Sequence, residues 1–402
     1  MKIVDIRATA VTVPLKHPLR WSFGVETTTT RTIVELVTDE GLVGIGETRG
    51  GDEVVQALAL NRELYIGVDP LEVGRITRRF SVFRMTSEQL ALVGAAKLAG
   101  AAVEMACWDL VGKATGKRCG DLWGGIASET VEFAAYVFYR YDADGSIGTG
   151  DQPENAAEHA VELFDTYGFR DIKFKNGVLD PASEIRSVEL MRSQLDGRLR
   201  SIRIDPNAVW SVDTSIRVLN RLADYDLEFC EDPTWGIEGM ARVRERTPVP
   251  LATNMAVVTF EQLPLSVRSK AIDVILGDIH FWGGVTPVLQ LAKICESFNI
   301  GMSMHSDREL GISTAAVVHL ASAETMISHS IDTHLLEQAD DIITTPFEFA
   351  NGSLRVPSGP GLGVEIDQDK LRHYADYHQK VGEASEFQDP AQSGFRAKFP
   401  KF

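Results

Sequence analysis

Residues 171–232 read DIKFKNGVLDPASEIRSVELMRSQLDGRLRSIRIDPNAVWSVDTSIRVLNRLADYDLEFCED. Three short apolar runs stand in it: DIKFK (171–175), SIRID (201–205) and LEFCE (227–231). Between them lie two stretches with helical spacing, Ala182–Gln194 and Thr214–Ala223. Strands alternating with helices of this length indicate βα units and a parallel sheet. The pattern extends both ways. VEFAAYVF (131–138) precedes it, and VPLAT (249–253), IDVILG (272–277), IGMSM (300–304) and SHSIDT (328–333) follow. Further helical stretches are Ala156–Tyr167, Val285–Glu296 and Gly311–Ala323. Eight strands with crossover helices predict a modified, TIM-like (β/α)8 barrel over residues 126–345. A doubly wound open sheet is the rival, but it calls for a glycine-rich phosphate turn after its first strand, and no GxGxxG stands there.

Residues 1–125 carry a different pattern. Lys2–Val13 alternates, and Thr32–Val37 and Leu42–Gly46 flank an Asp39-Glu40-Gly41 turn, a hairpin signal. Helical spacing follows in Glu53–Ile66, Leu71–Phe83 and the alanine-rich Leu92–Thr115. Strands followed by helices predict an α+β domain that caps the barrel. After about residue 346, FEFANGSLRVP predicts a hairpin turning at Asn351-Gly352, and the segment to residue 402 is expected to return to the capping domain.

The 402 residues suit a large domain with a smaller partner, and 44% are hydrophobic, enough for a sizeable core. The net charge of −17 and the lack of a long Lys/Arg run argue against a nucleic-acid partner, whose phosphates are gripped by cations. No apolar run approaches bilayer-spanning length, so no membrane segment is expected. Four scattered cysteines without a CxxC pair fit buried thiols in a reducing cytoplasm.

In β/α barrels the chemistry sits where the strands end. The candidate strand ends hold Lys173 and Lys175, Asp205 and Asn207, Glu231 and Asp232, Asn254, Asp278, His305 and His334. Alone, an Asp or Asn there reads as a helix N-cap. Three oxygen donors from adjacent strands, Asp205, Glu231 and Asn254, read better as ligands for Mg²⁺, a hard cation. Asp232 points elsewhere and suits a supporting role. Lys173 and Lys175 fall on one face of a strand. Two neighbouring ammonium groups near a dication should depress each other's pKa toward that of a base. Asp278 ends the strand before His305 and can fix its tautomer. His280, His319 and His329 read as structural.

With these motifs in order, IKFKNG, IDPNAVW, FCEDP, LATNM, GDIHFW, MHS, IDTH and PGLGVEID, the chain resembles the enolase superfamily and its glucarate dehydratase subgroup. The resemblance implies a capping domain over a modified barrel, Mg²⁺ on Asp205, Glu231 and Asn254, and a sugar-acid substrate. His305, oriented by Asp278, or Lys175 would take the proton beside the carboxylate, and His305 would protonate the departing β-hydroxyl. Lys173 and Asn207 would stabilise negative charge. Tyr136, Phe138, Ser306, Asp307 and His334 match substrate-pocket positions. A homo-oligomer is expected. Three departures stand out: the subgroup's HSNNH reads His305-Ser306-Asp307-Arg308-Glu309, the capping loop Arg20–Val25 lacks a histidine, and no residue matches the C-terminal arginine expected to grip a distal carboxylate. An epimerase or racemase, and a catalytically silent relative, remain open alternatives.

Overall fold

Alternating β-branched residues near the start of the chain form β1 (Ile3–Trp21), which pairs antiparallel with β2 (Gly24–Thr38). β2 in turn pairs with β3 (Val43–Arg49), and the predicted turn closes between Thr38 and Leu42 with Gly41 at φ 80°. The structure, a computed structural model, describes residues 1–76, 90–148, 150–383 and 387–402. Helices Asp52–Leu60 and Leu90–Thr115 pack beside this sheet. The long helix lies so close to β3 that a Cβ on Gly46 would stand 2.1 Å from the Ala102 carbonyl oxygen. Only glycine permits that approach. The first predicted helix ends at Leu60 rather than Ile66. The second, Leu71–Phe83, lies largely outside the described residues.

The βα units build a seven-stranded sheet. Its strands are β5 (Ala135–Val137), β7 (Asp171–Lys175), β8 (Ser201–Asp205), β9 (Leu227–Glu231), β10 (Leu251–Thr253), β11 (Val274–Gly277) and β12 (Gly301–Met304). They lie in the order β12-β11-β10-β9-β8-β7-β5, with every neighbour parallel. Register sets Lys175 beside Asp205 and Glu231 beside Ala252, which brings the polar strand ends to one level. The sheet and the antiparallel N-terminal sheet fit a modified TIM barrel with a capping domain.

Three sequence expectations need correction. The predicted strand 131–138 is two pieces, β4 (Thr130–Glu132) and β5, and just past it β6 (Tyr139–Arg140) leaves the barrel to pair with β1. The predicted eighth strand, 328–333, makes only single bridges at Ile327 and Ile331. Its Ser330 carbonyl accepts from two side chains, the Arg203 guanidinium and the Ser303 hydroxyl, rather than from a backbone N–H. The Asn351-Gly352 turn forms, with φ 53° and 70°, but it closes a single Ala350–Ser353 bridge. β13 (Ser353–Arg355) pairs with β4 rather than with the other predicted arm.

The two units share helix ends. The first N–H groups of a helix have no partner within it and need an acceptor. Helix Val285–Phe298 starts after Gly284 and helix Gly311–Ala323 after Leu310, neither with a side-chain cap of its own. Buried Glu104, on the Leu90–Thr115 helix, accepts from Val285 N and Thr286 N, both at 2.9 Å. Buried Glu47, on β3, accepts from Leu310 N and Ser313 N, again at 2.9 Å. The later chain also returns: helix Gln368–Val381 lies on β1, and Asp389 accepts from Arg20 of the capping loop at 3.2 Å. No helix among the described residues is long and apolar enough to cross a membrane.

Unsatisfied buried donors cost about 1–3 kcal/mol each. Glu104→Ala is therefore expected to lower stability by about 3 kcal/mol in urea denaturation, and Glu104→Gln by less. An unchanged midpoint for the alanine variant would contradict this interdomain capping.

Candidate active site

Charge at the strand ends is packed in direct contact. The Lys173 ammonium donates to Glu231 and, at 2.9 Å, to Asp332, and lies 3.6 Å from Asp205. Lys175 donates to Asp205 at 2.6 Å. All five side chains are buried. Burial alone would lower both lysine pKa values, but Asp332 and Glu231 around Lys173, and Asp205 beside Lys175, raise them above the ordinary range. Lys173 still depresses Lys175, as expected of like charges. Carboxylates in contact outweigh a like charge farther off.

The same crowding acts on the acids. Burial and the neighbouring Asp205 push Glu231 up to about 7. Glu231 Oε1, Asn254 Oδ1 and Asn207 Oδ1 are buried oxygens with no donor among the described residues. Buried acceptors left without donors are costly, and a cation is a group that could satisfy such oxygens. Hard oxygen donors of this kind suit Mg²⁺. Asp205, Glu231 and Asn254, at the ends of three neighbouring strands, could hold it, although no group of three His, Cys, Asp or Glu placed to hold a metal occurs among the described residues. An amide as third donor, with ammonium groups seated on the two acids, accounts for that.

Asp232 has the supporting place. It accepts from Thr253 Oγ1 at 2.5 Å, Asn254 N at 2.8 Å and Met255 N at 3.0 Å, and so fixes the turn that presents Asn254. Asn207 sits at φ 51°, its N–H donating to Asp205 Oδ1 at 2.9 Å.

On the far side of the sheet, His305 Nδ1 lies 2.8 Å from Asp278 Oδ2. Asp278 Oδ1 accepts from His280 N at 2.6 Å and Phe281 N at 2.8 Å. Burial would raise the Asp278 pKa, yet the His305 hydrogen bond leaves it below the ordinary value. Burial would lower His305, and Asp278 raises it. An ionised Asp278 can only accept, so Nδ1 carries the proton and Nε2 of the neutral ring keeps a lone pair.

Comparison with known proteins places this arrangement. Residues 3–124 match the family model of the mandelate racemase / muconate lactonizing enzyme N-terminal domain, and 155–370 match the enolase C-terminal domain-like model. The chain belongs to the enolase superfamily. It is 35% identical over 365 residues to the protein named "Probable glucarate dehydratase" from Streptomyces coelicolor, covering 85% of this chain and 84% of that one. Muconate cycloisomerase 1 of Rhodococcus opacus is 28% identical, with 92% and 98% covered. Among solved structures, an enolase from Thermobispora bispora complexed with magnesium and formate superposes with TM-score 0.91 at 38% identity, covering all of both chains. An enolase from Mycobacterium smegmatis complexed with tartrate gives 0.92 at 34%, covering 100% of this chain and 98% of the other.

Within this superfamily site, the pocket residues named from sequence lie as follows. Tyr136, Phe138 and His334 form one ring cluster, with Tyr136 centred 4.6 Å from each of the other two. Lys173 lies 5.4 Å over the Tyr136 ring. Ser306 Oγ is 2.8 Å from His334 Nδ1 and donates to Glu309 at 2.6 Å. Asp307 is tied to Arg49 at 2.9 Å and Arg308 at 3.4 Å, and these cations hold its carboxyl well below the usual range against its burial. Sequence reasoning missed Asp332 and Arg203, although both stood in quoted runs. Arg203 precedes Asp205 by two, hence on the same strand face, and donates to Asp332 at 2.8 Å.

Ligand binding to the folded state alone adds about 2.7 kcal/mol at 100 times Kd. Magnesium is expected to raise the Tm of the wild-type chain but not of Asn254→Ala. An equal rise in both would remove Asn254 from the ligand set.

Proposed function

We propose that this protein is a magnesium-dependent acid-sugar dehydratase of the glucarate dehydratase type. The observation that carries the reading is positional. Lys175 on β7 and the His305–Asp278 pair beyond β11 and β12 flank the three strands whose ends present oxygen donors. A substrate held over those donors meets the His305 imidazole from one side and the Lys175 ammonium from the other. The 35% identity to a probable glucarate dehydratase supports the subgroup, and relatives crystallised with formate and tartrate support a small carboxylate ligand.

When bound, magnesium would supply a Lewis acid that favours loss of the proton beside a carboxylate. The remaining work falls to side chains. Nε2 of His305 takes the α-proton, and Asp278 stabilises the imidazolium that forms. The same imidazolium then gives its proton to the β-hydroxyl, which leaves as water. The enol that remains tautomerises to a 2-keto-3-deoxy acid. Lys175 keeps its positive charge against Asp205, and with Lys173 and the Asn207 amide it offsets negative charge developing on the carboxylate. Because Arg49 and Arg308 hold Asp307, its carboxylate does not oppose an anionic substrate uncompensated.

Screening acid sugars for magnesium-dependent keto-acid production tests the reading. On the preferred substrate, His305→Asn is expected to lose about 100-fold or more in kcat while the magnesium-induced Tm shift persists. Deuterium uptake at the α-carbon without keto acid would select a racemase or epimerase instead, with Lys175 and His305 exchanging the proton on opposite faces.

A further inference from the structure

We propose that Arg31, in the capping sheet, is a positioning residue for the Asp278–His305 pair; this rests on the role given to that pair above. Arg31 lies on β2 and is 1% exposed. Its guanidinium makes three hydrogen bonds, each at 2.8 Å. Nε donates to Glu47 Oε1, Nη1 to the Asp307 carbonyl oxygen, and Nη2 to His280 Nε2.

Two of these partners stand two residues beyond a member of the pair. His280 follows Asp278 in the loop after β11, and its own backbone N–H donates to Asp278 Oδ1. Asp307 follows His305 in the loop after β12, and its N–H donates to Glu309 Oε1 at 2.7 Å. The third partner, Glu47, anchors the next helix by accepting from Leu310 N and Ser313 N. One planar group from a different structural unit therefore spans both loops that carry the pair.

A guanidinium presents its donors in a fixed fork, so these three contacts set the spacing of the two loops as well as their attachment. His280 can serve because burial, and then the Arg31 charge, push its imidazole down to about 4, which leaves Nε2 as an acceptor. A lysine in place of Arg31 would keep the charge facing Glu47 but has a single nitrogen, which cannot span Glu47, the Asp307 carbonyl and His280 in the same plane. Displacement of a catalytic group by about 1 Å can cost about 100-fold in rate.

The test uses the full chain with saturating magnesium. Arg31→Lys is expected to lower kcat by about 100-fold with KM changed by less than about threefold, and to leave the magnesium-induced Tm shift in place. Glu104→Gln, which loosens the other interdomain cap without touching either loop partner of Arg31, is expected to keep kcat within about threefold of wild type. A kcat for Arg31→Lys no lower than that of Glu104→Gln would overturn the proposal. An activity-independent readout is the low-field NMR resonance of the His305 Nδ1 proton shared with Asp278. It should be present in the wild type and lost or shifted in Arg31→Lys, and an unmoved resonance would also overturn the proposal. Should that variant fail to fold, His280→Phe removes the acceptor and keeps a flat ring, and the same resonance is expected to change. A wild type inactive on every acid, with a resonance still governed by Arg31, would refute the dehydratase reading and leave the positioning role standing.

Discussion

Two acids of the N-terminal unit, Glu47 and Glu104, terminate helices that belong to the barrel, and the molecule is organised around that exchange. A carboxylate taken out of water is expensive unless its lone pairs are filled. Here four backbone N–H groups fill them, and they are the very groups a helix start leaves bare. The helix dipole adds to the match. Neither helix carries its own cap, so each unit leaves polar groups that the other satisfies. Separating them would expose two acids and two helix ends together. That joins the two units closely, and Glu47 in particular ties the chain beyond the β12 loop to the capping sheet.

A second economy of charge governs the strand ends. Three carboxylates, Asp205, Glu231 and Asp332, face two ammonium groups, with Arg203 behind Asp332. Breaking a buried pair by removing one partner costs about 3–5 kcal/mol. A network this tightly coupled is unlike a pair of independent bases. Each lysine is held protonated by its acids, while Glu231 retains an oxygen with no donor. Binding a cation there would change the balance in one direction, relieving the acids and releasing the lysines from them.

Much of this was readable in one dimension. Period-2 runs spaced by amphipathic stretches gave the parallel sheet, and the polar residue closing each run gave the strand-end set. Alternation within DIKFK correctly placed both lysines on one face. It failed at 328–333, where period and composition say strand, because the Ser330 carbonyl goes to a buried arginine from β8. Long-range side-chain to backbone bonds of that kind leave no periodic trace. The same blindness hid Glu47 and Arg31: each sits in a strand with ordinary alternation, and its partners in the barrel lie more than 240 residues away. For the lysine pair, the like charge was visible at i+2, whereas Asp332, which meets Lys173, is far along the chain.

Three histidines near the barrel mouth show how far surroundings outrank residue type. His280 faces the Arg31 guanidinium, and burial with that charge pushes it down to about 4. His334 is buried near Arg308 and Lys175 and is held well below the ordinary value. His305 is just as buried, yet its value is raised, because its nearest charged partner is Asp278. Of the three, only His305 has its affinity for a proton raised, by the carboxylate beside it, and the proposed dehydration asks one group first to remove a proton and then to return it. The neutral imidazole of His280 is what lets Arg31 donate to it, and the neutral imidazole of His334 adds no further positive charge beside the lysines. The silent histidines thus help define the active one, through charges contributed by both structural units.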